Sequence, residues 1–314
     1  MSLTVYNIKK WYRMLTGNSI LHVNQDIGRQ FSSDSLKGYY NNLTEKVTRQ
    51  PELIDTESLP TFSTADGRQV LFPVAIFQYG LGAYDLYLAS GKKDKRYLRK
   101  FMECAGWAVD NQEQQGAWNN FFFLHPQDPY GAMAQGEGAS LLLRAYVETK
   151  EQHFLASARQ AVDFMLKPLR EGGTSDGDVL LEYTHLPAVM NGWIFAWWGL
   201  YDYVTVVSDK TLNLDSGIWN PNGYYKERLE KSCKALEEKL PEFSSGYWSM
   251  YDLAGHIASP FYHHLHIAQM QAMYQLTRHD IFAQYAERWQ RNEDRRADYA
   301  RAFIKKTWQK LREP

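Results

Sequence analysis

Several features that would point to a particular class of protein are scarce in this chain. Only two of its 314 residues are cysteines, which excludes a cysteine-based zinc framework and fits a reducing compartment. The net charge is −1, so no overall field draws the chain to nucleic acid. The longest apolar runs, residues 70–77 and 194–201, are too short to span a membrane, and the N-terminus has no signal-peptide layout. We therefore expect a cytoplasmic protein with no nucleic-acid partner and no transmembrane segment.

Common catalytic signatures are also missing. The chain has no nucleophile elbow, dinucleotide-binding glycine motif, P-loop or His-Glu-x-x-His zinc motif. A group of histidines, His263, His264 and His266 with His256 upstream, is the nearest approach to a metal site. Its spacing divides the side chains between two helix faces, and no carboxylates accompany it. We predict that the protein binds no metal.

Aromatic residues, in contrast, are abundant, with 21 Tyr, 15 Phe and 10 Trp. Packing in the core accounts for most aromatic rings in a protein of this size. An excess of tyrosine and tryptophan also suits a cleft that stacks on sugar rings.

A pattern of paired helices recurs from about residue 75 onwards. Each unit has an inner helix rich in small residues, a polar turn, an amphipathic outer helix and a long return loop. Inner helices are expected to begin near Val74, Ala134, Asn191 and His264. The pattern predicts a mainly α fold, an α/α toroid (an incomplete α/α barrel) of repeated helical hairpins, with the return loops on one rim. Function usually depends on such loops.

The two ends of the chain differ from this repeat. Residues 1–70 are expected to form an extended arm on the helical body, with a hairpin around residues 65–68, and residues 71–314 to form the catalytic toroid. The basic C-terminal helix has two interpretations, a solvated surface helix or a peripheral contact with an anionic membrane. The chain could also form a homodimer.

Three predicted loop segments each carry a tyrosine beside polar residues, namely Tyr183, Tyr251 and Tyr262. Taken singly, each tyrosine is more typical of a loop-packing aromatic residue. Together they belong to the rim, where a site is expected.

These segments carry a resemblance to a known family. Residues 129–136 are similar to its W-Y-S-A-M-x-Q-G, and residues 142–146 to the T/L-x-R-A-Y that follows. Glu182-Tyr183, Asn191-Gly192, residues 251–253 and residues 262–267 are similar to its E-Y, N-G, Y-D-L and Y-H-x-x-H-I. The chain resembles the C-terminal helical domain of the D-glucuronyl C5-epimerases over about residues 70–290. The β-rich domain inserted in animal members is missing here.

The resemblance implies a cofactor-free reaction that inverts C5 of glucuronate in a polysaccharide or its precursor. A proton leaves C5 on one face of the ring and returns on the other, which requires two general acid/bases. By resemblance the catalytic residues are Tyr183, Tyr251, Tyr262 and Glu182. Substrate-binding residues, on the same basis and from their place in the repeat, are Trp118, Tyr130, Gln135, Asn191, His256, His263 and His266.

Two departures from the family pattern leave other functions open. Ala254 occupies the position of an arginine that could neutralise the substrate carboxylate, and Phe261 that of an aspartate. His256, His263 or Arg144 could replace the arginine. The alternatives to an epimerase are a uronate lyase, which eliminates the C4 substituent, and a non-catalytic toroid that binds acidic glycans.

Overall fold

Four pairs of helices follow one another in the computed structural model, which describes residues 12, 19, 20 and 22–312. Most of the first 21 residues of the predicted arm therefore lie outside the described residues. With helices numbered in chain order, the inner helices are α2 (Pro73–Ala89), α4 (Ala132–Thr149), α6 (Met190–Ser208) and α9 (Pro260–Thr277). The outer helices are α3 (Lys95–Asp110), α5 (Gln152–Leu166), α8 (Tyr224–Lys239) and α10 (Asp280–Asp294).

The remaining elements are short, apart from the last helix. They are α1 (Thr44–Thr48), α7 (Ser216–Trp219), α11 (Arg296–Arg312) and two antiparallel hairpins, β1–β2 (Thr61–Ser63 with Gln69–Leu71) and β3–β4 (Ser175–Asp176 with Val179–Leu180). The first hairpin lies where the sequence predicts one. Helix accounts for 59% of the structure and strand for 6%, which confirms the predicted mainly α fold.

The helices form two layers. Each inner helix packs on the inner helix of the next unit, in the order α2, α4, α6, α9, and each outer helix packs on the inner helix of its own unit. Three inner helices begin within two residues of the predicted positions. Helix α9 begins four residues before His264, because Ser259 caps it and Pro260 occupies its first turn. Closure into a toroid stays a prediction.

Glycine allows α4 and α6 to approach until their backbones touch. A Cβ atom on Gly199 would lie 2.3 Å from the carbonyl oxygen of Gly136, and one on Gly136 would lie 2.5 Å from the Cα atom of Ala196. Such contacts exclude any side chain at either glycine. The small residues of the inner helices are therefore a packing requirement of the inner layer.

A buried ion pair holds the N-terminal segment on this layer. Arg144 of α4 and Asp202 of α6 are fully buried, and their side chains meet at 2.6 Å. The guanidinium also donates to the carbonyl oxygens of Lys37 at 2.8 Å and Gly38 at 3.0 Å, while the Tyr40 hydroxyl donates to Asp202. Because a buried charge is tolerated only with partners of this kind, the segment and the two helices depend on one another.

The C-terminal helix α11 is buried along only one side. Ala302 and Lys306 are buried and Phe303 is half-buried, but Trp308 is 51% exposed and stacks against the Arg312 guanidinium. Peripheral contact of this helix with a membrane stays a prediction. No helix within the described part of the chain is both long and apolar enough to cross a membrane.

We expect Gly199→Ala and Gly106→Ala to have opposite effects on stability. The first places a methyl group against the backbone of α4 and should lower the free energy of unfolding by about 1–3 kcal/mol. The second adds a methyl group where no atom lies within 4 Å and should raise it by up to about 1 kcal/mol through helix propensity. Urea denaturation measures both changes, and equal changes would contradict the close packing of α4 and α6.

Candidate functional site

A cavity of about 180 Å³ lies where the N-terminal ends of the four inner helices meet. Each helix contributes a residue from its first turn to the wall, namely Val74 of α2, Met133 of α4, Asn191 of α6 and Tyr262 of α9. Helix N-termini carry partial positive charge. The cavity is therefore suited to a ligand that carries negative charge.

Return loops and the N-terminal segment complete the wall. The loops contribute Asn120, Leu124, Glu182 and Tyr183. The segment before α2 contributes three polar residues that the sequence did not indicate, His22, Gln25 and Lys46. Phenylalanines form much of the remaining surface: Phe62, Phe72, Phe121, Phe195 and Phe261.

The Glu182-Tyr183 pair is held in place by contacts with the start of α4 and with Gly192 of α6. After the β3–β4 hairpin, Leu181 accepts a hydrogen bond from the N–H of Ala132 at 2.7 Å, which ties the loop to the start of α4. The Glu182 side chain packs so closely on Gly192 that a Cβ there would lie 2.4 Å from its Oε2 atom. The ring of Tyr183 stacks on Phe121 with centroids 4.7 Å apart.

Tyr251 lies between the other two tyrosines. Its ring meets that of Tyr262 edge-on, with centroids 4.8 Å apart, and its side chain interacts with those of both Tyr183 and Tyr262. The Tyr183 side chain in turn interacts with that of Glu182. The four residues that the resemblance implies as catalytic therefore form one cluster, of which Glu182, Tyr183 and Tyr262 line the cavity and Tyr251 does not.

Burial sets the charge states of these four side chains. It raises the pKa of Glu182 to about 7, and the neighbouring Tyr183 hydroxyl only partly offsets the effect. It also raises the pKa values of Tyr183, Tyr251 and Tyr262 above the ordinary value for a phenol. At neutral pH the phenols are thus proton donors, and the carboxyl group is the member that can accept a proton.

The residues expected to bind substrate divide into two sets. Asn191 lies in the cavity wall, and its buried Oδ1 atom has no hydrogen-bond partner among the described residues. Trp118 and Gln135 are instead buried against each other, the Trp118 N–H donating to Gln135 Oε1 at 2.9 Å. Tyr130 donates to Glu113 at 2.6 Å. Trp118, Gln135 and Tyr130 do not line the cavity, and their role in binding substrate stays a prediction.

The histidines likewise lie outside the cavity wall. His263 and His266 are fully buried and share the Ser249 hydroxyl, at 2.8 Å and 2.9 Å. Burial lowers the pKa of His263 to about 3 and that of His266 well below its ordinary value, so both rings are neutral. His256 bonds to Asp252 at 2.7 Å. None of these three rings lines the cavity, and their role in binding substrate stays a prediction.

None of the residues considered as replacements for the missing arginine lies in the cavity wall. Ala254 itself is in an exposed turn, where its N–H donates to the Asp252 side chain. Arg144 forms its ion pair with Asp202, and the His263 ring is neutral. The cation that does line the cavity is Lys46, which is 4% exposed. It lies in a short helix within a polar segment, where neither periodicity nor a motif marks it.

One group of side chains brings metal-binding donor atoms together. In the described part of the chain, Cys233, Glu237 and His279 have donor atoms within 4.8 Å of one another, between α8 and the start of α10. None of the three lines the cavity.

The fold and the cavity together define a helical-hairpin protein with a buried carboxyl–phenol site. The family model described as D-glucuronyl C5-epimerase C-terminus matches residues 103–291, and the chain belongs to that family. It is 25% identical to a D-glucuronyl C5-epimerase of Caenorhabditis elegans over 222 residues, which are 63% of this chain and 35% of that protein. It is 29% identical over 169 residues to an uncharacterized protein of Methanocaldococcus jannaschii, which are 51% of each chain. The chain thus spans a third to a half of these relatives.

We expect Glu182→Gln to become more stable relative to the unaltered protein as pH rises. Because the folded-state pKa of about 7 exceeds the ordinary 4.5, the folded protein binds more protons than the unfolded chain between these values, and its stability falls across this window. Glutamine removes that loss, so the difference in unfolding free energy should grow by up to about 3 kcal/mol from pH 4 to pH 8. Urea denaturation at several pH values measures it, with the exposed Glu230→Gln as control. A difference that stays constant with pH would contradict the buried carboxyl group.

Proposed function

We propose that this protein inverts C5 of glucuronate residues in a polysaccharide or its precursor. The observation that carries the proposal is that Glu182, Tyr183 and Tyr262 line one cavity and that Tyr251 packs against Tyr262 beside them. A carboxyl group with a pKa of about 7 and two phenols joined by a third supply an acceptor and a donor for a C5 proton. The helix N-termini around the cavity favour the negative charge of a uronate ring.

Abstraction begins at Tyr183, the phenol next to the Glu182 carboxyl group. The ionised carboxylate of Glu182 takes the hydroxyl proton of Tyr183 while the phenol oxygen takes the proton from C5. The electron pair of the broken C–H bond moves into the substrate carboxylate, which gives an enediolate-like intermediate. Ionised Glu182 thus makes a phenol with a raised pKa into a base at the moment of transfer.

Protonation from the opposite face completes the inversion. Tyr262 donates its hydroxyl proton to C5, the electron pair returns to that carbon, and a phenolate remains on Tyr262. Tyr251 then restores the starting state, because its side chain interacts with both of the other phenols. Tyr251 gives its proton to Tyr262 and takes one from Tyr183, and Tyr183 recovers its proton from Glu182. No cofactor takes part in the proton balance of this cycle.

Incubation with a glucuronate polymer in heavy water tests the reaction, since C5 acquires deuterium only if its proton is removed. We expect the unaltered protein to incorporate deuterium at C5 and to produce the C5 epimer, both measured by NMR. Tyr262→Phe should lower inversion by at least about 100-fold while exchange continues through Tyr183 on one face. Tyr183→Phe should lower both by a similar factor.

Tyr274→Phe is the matched control, because Tyr274 is a half-buried tyrosine of α9 that does not line the cavity. It should leave both rates unchanged. Unchanged rates of exchange and inversion in Tyr183→Phe and Tyr262→Phe would contradict the assignment of the two phenols as catalytic residues. Formation of an unsaturated uronate, visible by its ultraviolet absorbance, would show that the protein is a lyase instead.

A further inference from the structure

A thiol, a carboxylate and an imidazole converge between the outer helices of the last two units. Cys233 and Glu237 lie one turn apart on the same face of α8, and the Cys233 Sγ atom is 3.5 Å from Glu237 Oε1. His279, the residue before α10, hydrogen-bonds with the same carboxylate oxygen through its Nδ1 atom. The three donor atoms all lie within 4.8 Å of one another.

The turn between α9 and α10 fixes the position of His279. Arg278 ends α9 in the left-handed conformation, with φ of 61°. The N–H of His279 then donates to Thr277 Oγ1 at 3.2 Å, and the imidazole ring lies parallel to the ring of Phe282, with the two planes 8° apart. Because the backbone holds the residue in place, its side chain needs little reorganisation to act as a ligand.

The donor types and their spacing match those of a zinc site. Zinc binds thiolate, imidazole and carboxylate groups at about 2.0–2.3 Å, so the ligand atoms of a tetrahedral site lie about 3.3–3.8 Å apart. Rotation of the more exposed side chains closes the small difference from this spacing. Cys233 is 4% exposed, whereas the His279 side chain is 52% exposed. The group is thus open to solvent on its imidazole side, which admits an ion and a water molecule as fourth ligand.

We propose that Cys233, Glu237 and His279 bind a zinc ion that joins α8 to the start of α10. The Cys233 thiol releases its proton to solvent as the zinc–sulfur bond forms, so two anionic ligands compensate the charge of the ion. None of the ligands lines the cavity, so the ion cross-links two units of the fold and takes no part in the proposed reaction. His279 follows Glu237 by 42 residues, which is why no sequence motif marks the site.

Cobalt(II) provides a spectroscopic test, because a thiolate ligand gives this ion a charge-transfer band in the near ultraviolet. After dialysis against a chelator, the full chain should bind one equivalent of Co²⁺ with that band, and Zn²⁺ should displace the cobalt. Cys233→Ser should abolish the band. Cys104→Ser is the matched control, because Cys104 is the other buried free cysteine and lies in α3. It should leave the band unchanged.

Zinc affinity, measured by competition with a chromophoric chelator, tests the imidazole ligand. His279→Ala should weaken zinc binding at least about 10-fold, since loss of a group that merely orients a ligand already has an effect of this size. His153→Ala is the control. His153 is also half exposed and paired with a carboxylate, Glu151, but in the described part of the chain it belongs to no group of metal-binding donors. It should bind zinc as tightly as the unaltered protein.

Thermal unfolding provides a second readout. Zinc should raise the unfolding midpoint of the unaltered protein and of Cys104→Ser but not that of Cys233→Ser. If Cys233→Ser does not fold, as judged by circular dichroism, Glu237→Gln changes a half-buried ligand instead and should also weaken zinc binding. The inference is wrong if the unaltered protein gives no charge-transfer band with cobalt. Equal zinc affinities in His279→Ala and His153→Ala would overturn it as well.

Discussion

The buried ion pair between Arg144 and Asp202 is the interaction on which the rest of the structure depends. It joins two inner helices and, through backbone carbonyls at residues 37 and 38, holds the N-terminal segment on them. Asp85 of α2 adds a second tie by accepting from the Tyr39 N–H at 2.9 Å. Because these charges lie out of water, loss of either partner leaves the other uncompensated. The same ion pair fixes the course of the segment that leads to α1. The packing of the inner helices and the wall of the cavity therefore depend on the same contacts.

The cavity combines groups whose ordinary ionisation behaviour would not suit proton transfer at carbon. Burial keeps the three phenols protonated and brings Glu182 into the neutral range of pH, so donor and acceptor coexist at pH 7. We infer that the return loops and the start of α9 supply the proton-transferring groups, and that the helical layers hold them in place.

The fold was largely predictable because paired helices leave a local signal. Small residues, polar turns and amphipathic spacing recur in each unit, and only the start of α9 shifted, through a cap at Ser259 that periodicity does not encode. The site was predictable only where family motifs marked it, as at Glu182 and Tyr262. Trp118 and His263 have residue types that serve both cores and sites, and which of the two applies depends on tertiary packing. Lys46 carried no local signal, since its burial depends on contacts between distant segments.

The crystal structure of Tyr183→Phe with a bound glucuronate oligosaccharide tests the central claim most directly, that one cavity holds the uronate ring between residue 183 and Tyr262. We expect the Tyr262 oxygen to lie about 3–3.5 Å from C5 and the aromatic ring at position 183 to face the opposite side of the sugar. An oligosaccharide bound in the open groove lined by Tyr274, Arg278 and Arg291 would contradict it. A ring in the cavity with C5 beyond reach of Tyr262 would contradict it equally.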